Sequence, residues 1–352
     1  MTMDRRKFFK ASLAGGAALA TGAATCPAQA RDNKPLPSEA LGLLFDSTLC
    51  VGCKACVAAC KEANGMPMEF STKDQYWDTP LDISGKTLNV IKAYRDGKME
   101  VKDREENGFA FIKKSCMHCV DPSCVSACPV SAMKKDPKTG VVTYDKDACI
   151  GCRYCVAACP FGVPRFTYDS ATPQISKCQL CVHRHKDGKY AACAEVCPTG
   201  ATLYGRVSVL REEARRRLAM KPGEMASFPR GHLRAAEEKV LQGAPQGKGA
   251  MQRAGWRVES DQSAYPNVAA KYLDHVYGEK EFGGTQMLML SGVSFQKLGY
   301  PDLPPRSDAA LSEGLQHTLY GGLIAPIAVL GALTFIAKRN VKPEDGEGGQ
   351  NG

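Results

Sequence analysis

Cysteine spacing limits the structures open to this chain more than any other property of its sequence. Of the 352 residues, 17 are cysteines, and all but Cys26 fall into four groups of four. Aromatic residues make up only 7% of the chain and glycines number 34, so we expect a loop-rich protein organised around these groups. The groups are Cys50, Cys53, Cys56 and Cys60; Cys116, Cys119, Cys124 and Cys128; Cys149, Cys152, Cys155 and Cys159; and Cys178, Cys181, Cys193 and Cys197.

The spacing of the third group, CIGCRYCVAACP in residues 149–160, is typical of iron–sulfur proteins. Three cysteines spaced by two residues wrap a tight loop around three irons of a 4Fe–4S cluster. The fourth cysteine enters a helix and binds the other cluster of a pair. Gly52 and Gly151 allow the backbone to approach a cluster closely. Zinc ribbons lack the third cysteine of this rhythm, although zinc stays an alternative for the fourth group taken alone.

The cysteine groups repeat along the chain. Residues 45–60 (FDSTLCVGCKACVAAC) align with residues 144–159 (YDKDACIGCRYCVAAC), and the second and fourth groups end in CPVSA and CPTGA. The sequence therefore predicts an α+β fold. We expect two interleaved bacterial ferredoxin-like double-cluster modules with short antiparallel strands, plus one C-terminal transmembrane helix.

Smaller elements and domain boundaries follow from turn residues and composition. Strands are expected at 109–114 and 140–145, and residues 88–103 predict a hairpin that turns at Asp96–Gly97. The expected organisation is a twin-arginine signal peptide (1–30), the first cluster motif with a hairpin insertion (38–114), the other three motifs (115–205), a covering segment and linker (206–314), a transmembrane helix (315–338) and a cytoplasmic tail (339–352).

Both ends of the chain predict a location. Arg5 and Arg6 precede a weakly apolar stretch that ends in Ala28-Gln29-Ala30, which predicts export by the twin-arginine pathway and cleavage after Ala30. Exported cysteines usually form disulfides. This pathway, however, exports folded proteins whose cofactors are already inserted, so we expect thiolates bound to iron.

The C-terminal apolar segment is long enough to cross a bilayer. Residues 319–337 contain no charge, and a helix of that length spans about 28 Å. Lys338, Arg339 and Lys342 follow it, which predicts a cytoplasmic C-terminus. We expect a single-pass protein on the periplasmic side of the cytoplasmic membrane.

The net charge of +9 does not indicate nucleic-acid binding. Many basic residues lie in the leader and in residues 211–221, where we expect a solvated helix face. The sequence contains no RNP motif, helix-turn-helix or zinc-finger spacing that would support nucleic acid as a partner.

Five segments carry a resemblance to a known family: LCVGCKACVAAC, KKSCMHCVDPSCVSACPVSAMKKDPKTG, YDKDACIGCRYC, YGEKEFGGTQMLMLSGV and QHTLYGGLIAPIAVLGALT. The chain resembles the four-cluster iron–sulfur electron-transfer subunits of periplasmic hydrogenases, formate dehydrogenases and related molybdenum enzymes. The resemblance implies four 4Fe–4S clusters, held by Cys50, Cys53, Cys56 and Cys197; by Cys178, Cys181, Cys193 and Cys60; by Cys116, Cys119, Cys124 and Cys159; and by Cys149, Cys152, Cys155 and Cys128.

The resemblance also implies partners. The expected route runs from the small and large subunits of a nickel–iron hydrogenase to quinone, through an integral membrane subunit. A formate dehydrogenase or another molybdopterin enzyme is the alternative electron source. A reductase in its own right is a third reading, but the chain has no GxGxxG, P-loop, nucleophile elbow or HExxH motif to support catalysis.

Five further residues have two interpretations each. His118 either tunes a cluster or packs inside a loop. Tyr76 and Trp77 lie at a subunit contact or simply in an insertion loop. His317 and Tyr320 border a quinone site, or they lie at the membrane interface, where tyrosine is common.

Overall fold

The computed structural model describes residues 30–70, 79–234 and 265–340. The predicted signal peptide, Tyr76, Trp77 and most of the cytoplasmic tail lie outside the described residues. The chain divides into two compact units, a larger one of Asn33–Ala309 and a smaller one that contains described residues 30–32 and 310–340.

Strands outnumber long helices among the described residues. In chain order the strands are β1 (Leu41–Asp46), β2 (Val90–Arg95), β3 (Val101–Lys102), β4 (Gly108–Lys114), β5 (Met133–Lys135), β6 (Val142–Tyr144), β7 (Arg165–Phe166), β8 (Ile175–Ser176), β9 (Thr202–Arg206), β10 (Met225–Phe228), β11 (Gly231–Leu233), β12 (Tyr265–Val268) and β13 (Met287–Leu290). The helices are α1 (Ala55–Ala63), α2 (Ser123–Ser126), α3 (Tyr154–Ala157), α4 (Val182–His185), α5 (Ala192–Glu195), α6 (Val207–Leu218) and α7 (Asp308–Asn340), with a 3-10 turn at Glu281–Gly283.

A four-stranded sheet in the order β11-β9-β1-β13 forms the base of the larger unit. Its strands are buried on both faces, and successive side chains point to opposite sides. Leu44, Leu203 and Leu288 pack with α6 on one side. On the other side, Leu43 and Met287 belong to the same core as several cysteines of the four groups. The sheet therefore separates a helix from the cysteine-bearing loops.

The predicted strands at 109–114 and 140–145 are confirmed by β4 and β6. Antiparallel pairing is found for β1–β9, β2–β4, β5–β6, β7–β8 and β10–β12. Parallel pairs also occur, in β1–β13, β9–β11 and β3–β4.

The predicted hairpin at 88–103 is half right. The chain does turn at Asp96–Gly97, where the N–H of Met99 donates to the carbonyl of Asp96 at 3.2 Å. However, β2 pairs with β4 and not with β3. The physical reason is burial, since β4 carries four consecutive buried residues whereas Val101 in β3 is exposed.

The prediction that the basic residues of 211–221 lie on a solvated helix face is wrong for one of them, Arg217. Helix α6 turns a stripe of Val207, Leu210, Ala214 and Arg217 toward the sheet, all of them buried. Residues three and four apart share one face of a helix, so Arg217 follows the apolar residues into the interior. Arg217 is fully buried.

Within the smaller unit, α7 continues as a helix to Asn340 and contains Pro326. Between Asp308 and Ile336 it has the length and apolar composition needed to cross a membrane, the one such helix among the described residues. Proline is tolerated in membrane helices. In the same unit, Arg31 Nε lies 2.8 Å from Glu313 Oε2.

Candidate metal centres

The first and third cysteine groups adopt the same local structure. Gly52 and Gly151 have φ angles of +69° and +71°, and Lys54 and Arg153 have φ angles of +59° and +66°. These left-handed residues fold the loop tightly. Helices α1 and α3 begin directly after Lys54 and Arg153, so the third cysteine of each group falls in the first helical turn. The sequence repeat is therefore also a structural repeat.

The second and fourth groups each place their last two cysteines on or beside a short helix, α2 or α5. Helix α1 of the first group packs against α5 of the fourth, and α2 of the second packs against α3 of the third. The interior of the larger unit thus joins groups that are distant in sequence: the first with the fourth, and the second with the third.

The ligand assignment that the resemblance implies groups the sixteen cysteines into four sets. We name them set A (Cys50, Cys53, Cys56, Cys197), set B (Cys60, Cys178, Cys181, Cys193), set C (Cys116, Cys119, Cys124, Cys159) and set D (Cys128, Cys149, Cys152, Cys155). In each set, one thiol interacts electrostatically with other members of the same set. Cys50 interacts with Cys56 and Cys197 in set A, and Cys60 interacts with Cys178, Cys193 and Cys181 in set B. Cys119 interacts with Cys159, Cys124 and Cys116 in set C, and Cys155 interacts with Cys149, Cys128 and Cys152 in set D.

Three interactions connect neighbouring sets in one row. Cys56 of set A interacts with Cys193 of set B. Cys178 of set B interacts with Cys116 of set C. Cys124 of set C interacts with Cys155 of set D. These interactions indicate that set A lies near set B, set B near set C, and set C near set D.

Burial dominates the acid–base properties of these thiols. Burial is the main reason that the pKa of Cys56 is raised to about 11; Lys113 lowers it and nearby thiols raise it. Burial likewise is the main reason that the pKa of Cys155 is raised to about 11. Without bound metal, such thiols stay protonated at neutral pH. Bound metal would hold them as thiolates, because a coordinating thiol loses its proton.

Backbone amides point at several of the sulfur atoms. The N–H of Leu180 lies 3.4 Å from Cys178 Sγ, and the N–H of Thr202 lies 3.4 Å from Cys197 Sγ. Around Cys159, backbone hydrogen bonds from Val163, Phe161 and Gly162 lower the thiol pKa, although burial raises it more. Amide donors around sulfur are a feature by which proteins adjust iron–sulfur clusters.

The donor chemistry fits 4Fe–4S clusters. All sixteen cysteines of the described residues are free thiols. In a 4Fe–4S cluster each of four thiolates binds a different iron, and each set supplies four thiols.

Sequence reasoning missed three lysines beside these sets, of which Lys113 and Lys177 are buried and Lys135 is half-buried. Lys177 Nζ donates to the carbonyls of Val142 and Cys178. Lys135 Nζ donates to the carbonyls of Cys119 and Gly140 at 2.9 and 3.0 Å. Lys113 is fully buried. The sequence did place lysines next to cysteines, as in KKSC and SKC. A sequence does not distinguish such lysines from exposed ones, so their burial was not predicted.

His118 is placed next to set C. It is buried, and its Nδ1 accepts a hydrogen bond of 3.1 Å from the N–H of Val142. Burial, with Lys177 and Lys135 nearby, holds the pKa of His118 well below its usual value, so the ring is neutral and carries its proton on Nε2. Nε2 has no hydrogen-bond partner among the residues that the structure describes.

The other two residues with a suggested role lie on α7. His317 and Tyr320 are both exposed there. Exposure is compatible with each of the two interpretations given above.

Comparisons with known proteins agree with the donor chemistry. Residues 108–207 match the family described as a 4Fe-4S dicluster domain. The chain is 44% identical to the hydrogenase-2 operon protein HybA of Escherichia coli O157:H7 and of Shigella flexneri, over 355 residues that cover 99% of this chain and 99% of each relative. It is also 36% identical over 222 residues to the nitrate-inducible formate dehydrogenase iron-sulfur subunit of Escherichia coli K12, covering 62% of this chain and 68% of that subunit.

Proposed function

The chain belongs to the family of the hydrogenase-2 operon protein HybA, and from this premise we propose that it is the electron-transfer subunit of a nickel–iron hydrogenase. It holds four 4Fe–4S clusters, one in each of the cysteine sets A to D. It relays electrons from the small and large hydrogenase subunits to an integral membrane subunit that reduces quinone. The fold consists of two interleaved double-cluster modules, one built from the first and fourth cysteine groups and one from the second and third.

The single observation that carries this proposal is the row of cysteine sets. Neighbouring sets interact in the order A, B, C and D through Cys56–Cys193, Cys178–Cys116 and Cys124–Cys155. Each 4Fe–4S cluster, when bound, supplies a one-electron carrier. Because electron transfer slows steeply with distance, a continuous row is the arrangement that a relay needs, whereas a structural metal protein has no need of it.

The chain's own residues bind, bury and connect the carriers. Of the sixteen cysteines in the four sets, only Cys53 of set A and Cys152 of set D are exposed. The two exposed thiols belong to the two ends of the row. Set A and set D are therefore the positions at which electrons enter and leave, while sets B and C contain no exposed cysteine.

A hydrogenase is favoured over a molybdenum enzyme as the electron source by the extent of similarity. The likeness to HybA covers 99% of the chain, whereas the likeness to the formate dehydrogenase subunit covers 62%. The alternative predicts a molybdopterin partner. Mild detergent extraction followed by mass identification of the co-purifying subunits distinguishes the two sources.

The proposed location rests on the two ends of the sequence. Residues 1–30 have the twin arginine and the small-residue cleavage pattern of an exported folded protein. Helix α7 has the composition of a membrane anchor, and the basic residues after it assign the C-terminus to the cytoplasm. The relay thus lies on the periplasmic side of the cytoplasmic membrane, held by one helix.

Replacing Cys152 by Ser tests the relay. Serine is a poor iron ligand, so we expect set D to lose its cluster and the purified protein to lose about 4 of about 16 iron atoms. Electron flow from hydrogen to quinone in the assembled complex should stop, while hydrogen oxidation with an artificial acceptor continues. Iron analysis, low-temperature paramagnetic resonance and quinone reduction measure these effects.

Cys26→Ser is the matched control, because Cys26 lies in the predicted leader and belongs to none of the sets. It should leave iron content and quinone reduction unchanged. Undiminished quinone reduction in the Cys152→Ser protein would show that the relay assignment is wrong, and so would native protein that contains disulfides in place of iron.

A further inference from the structure

Lys113 is a buried cation without an acceptor. Its side chain is fully buried, and Nζ has no hydrogen-bond partner among the described residues. The half-buried Lys135 and the buried Lys177 donate to backbone carbonyls, and the buried Lys61, next to Cys60, pairs with Glu69. An unpaired buried ammonium costs several kcal/mol, so the position of Lys113 calls for a negative group that the protein chain itself does not provide.

The backbone fixes Lys113 toward the cysteines. In β4, Lys113 pairs with Ile91 of β2, and its carbonyl accepts a hydrogen bond of 2.6 Å from the hydroxyl of Tyr300. Alternate residues of a strand share a face, which puts Lys113 on the side of Phe111. The Phe111 ring lies so close to Gly52, inside the loop that carries set A, that a Cβ atom at Gly52 would be 2.5 Å from it.

The side chain lies where sets A and B meet. Its electrostatic partners are Cys193, Cys56, Cys60 and Cys178, and Cys56 and Cys193 are the pair that links the two sets. The thiolates of bound clusters at these positions would supply the negative group that a buried ammonium needs.

We propose that Lys113 is a shared tuning residue, whose ammonium group donates to the sulfur atoms of sets A and B and makes both of their clusters easier to reduce. The proposal rests on the function proposed above. Each cluster gains one electron on reduction, which adds one negative charge. A fixed positive charge stabilises the more negative state, and because it lies between two sets it acts on both. Lys113 itself gains and loses neither electron nor proton.

Lys113→Met tests this inference, since methionine is apolar and of similar length. In redox titrations followed by low-temperature paramagnetic resonance, we expect two of the four clusters to become harder to reduce. Their ratio of reduced to oxidised form, at a fixed applied potential, should fall at least tenfold, equal to about 59 mV for a one-electron couple. The other two clusters should keep their potentials.

Two further variants separate charge from shape. Lys114→Met is the matched control, because Lys114 is the next residue, points away from Lys113 in the strand, is partly exposed and pairs with Asp82 at 3.2 Å. In Lys114→Met, the ratio of reduced to oxidised form of each cluster, at a fixed applied potential, should change by no more than about threefold. Lys113→Arg keeps the charge and should keep all four potentials near those of the native protein.

Each outcome decides the inference. Full iron content in Lys113→Met with four unchanged potentials would overturn it, as would an equal shift in Lys114→Met. If Lys113→Met loses iron, restored iron in Lys113→Arg supports a role for the charge, and equal loss in Lys113→Arg contradicts it. Native protein without iron would instead refute the proposed function, which keeps the two failures distinguishable.

Discussion

Arg217 shows at the scale of one residue how a charge can be buried in this fold. Its Nη1 lies 2.8 Å from Asp46 Oδ2 and its Nε lies 2.8 Å from Glu213 Oε1. Tyr272 also donates its hydroxyl proton to Asp46 Oδ2 at 2.8 Å, and the guanidinium carbon lies 5.3 Å from the centre of the Phe228 ring. Asp46 ends β1, four residues before Cys50, so this network anchors the start of the first cysteine loop.

Replacing Arg217 by Met is expected to destabilise the protein strongly. The change leaves the carboxylate of Asp46 buried without its cation, and breaking a buried pair in this way costs about 3–5 kcal/mol. The midpoint of urea denaturation should fall accordingly. Arg215→Met is the control on the same helix, because Arg215 is largely exposed and pairs with Glu279 at the surface. Surface pairs contribute about 0–1 kcal/mol, so similar midpoints for the two variants would contradict the assignment.

At the scale of elements, the two repeated cysteine loops differ in their surroundings. A Cβ atom at Gly52 would lie 2.5 Å from the Phe111 ring, whereas a Cβ at Gly151 would meet no atom within 4 Å. Both glycines have a left-handed φ. Replacing Gly151 by alanine therefore strains the backbone only, whereas replacing Gly52 by alanine strains the backbone and also produces a clash with Phe111.

We expect Gly52→Ala to lose the iron of set A, about a quarter of the total, because the ring of Phe111 has to move. Gly151→Ala should retain full iron, with a backbone cost of about 1–2 kcal/mol. Iron analysis and the half-life of the brown absorbance in air measure the difference. Equal iron content and equal half-lives in the two variants would mean that the Phe111 ring moves without cost, contrary to the close packing described for the first loop.

The loops were predictable from the sequence because their constraint is local. A glycine and four cysteines at fixed spacing define the turn and the start of α1 and α3, whatever surrounds them. Pairing of β2 with β4 depends on which strand is more deeply buried, and that is decided by the rest of the larger unit. The burial of Arg217 and Lys113 was unpredictable for the same reason, since their partners Asp46 and Cys193 lie far away in the sequence.

At the scale of the whole molecule, we propose that the cysteine groups are interleaved between the sets. Cys60 of the first group interacts with the thiols of set B, and Cys197 of the fourth group interacts with Cys50 of set A. Each group is thereby tied to two sets, either A and B or C and D. We expect the loss of one group to disturb both sets of its pair.

The two ends of the chain predict a topology that a tagged full-length protein can test. Lys338, Arg339 and Lys342 follow the apolar part of α7, and positive residues remain in the cytoplasm. An epitope tag after Gly352 should therefore resist protease added to spheroplasts and be digested in inverted membrane vesicles. Antibodies to the larger unit should detect the opposite pattern. The protein should also stay in the membrane pellet after carbonate extraction, because a spanning helix is held by its burial in lipid. A tag that is cut in spheroplasts, or release by carbonate, would refute anchoring by α7 with a cytoplasmic tail.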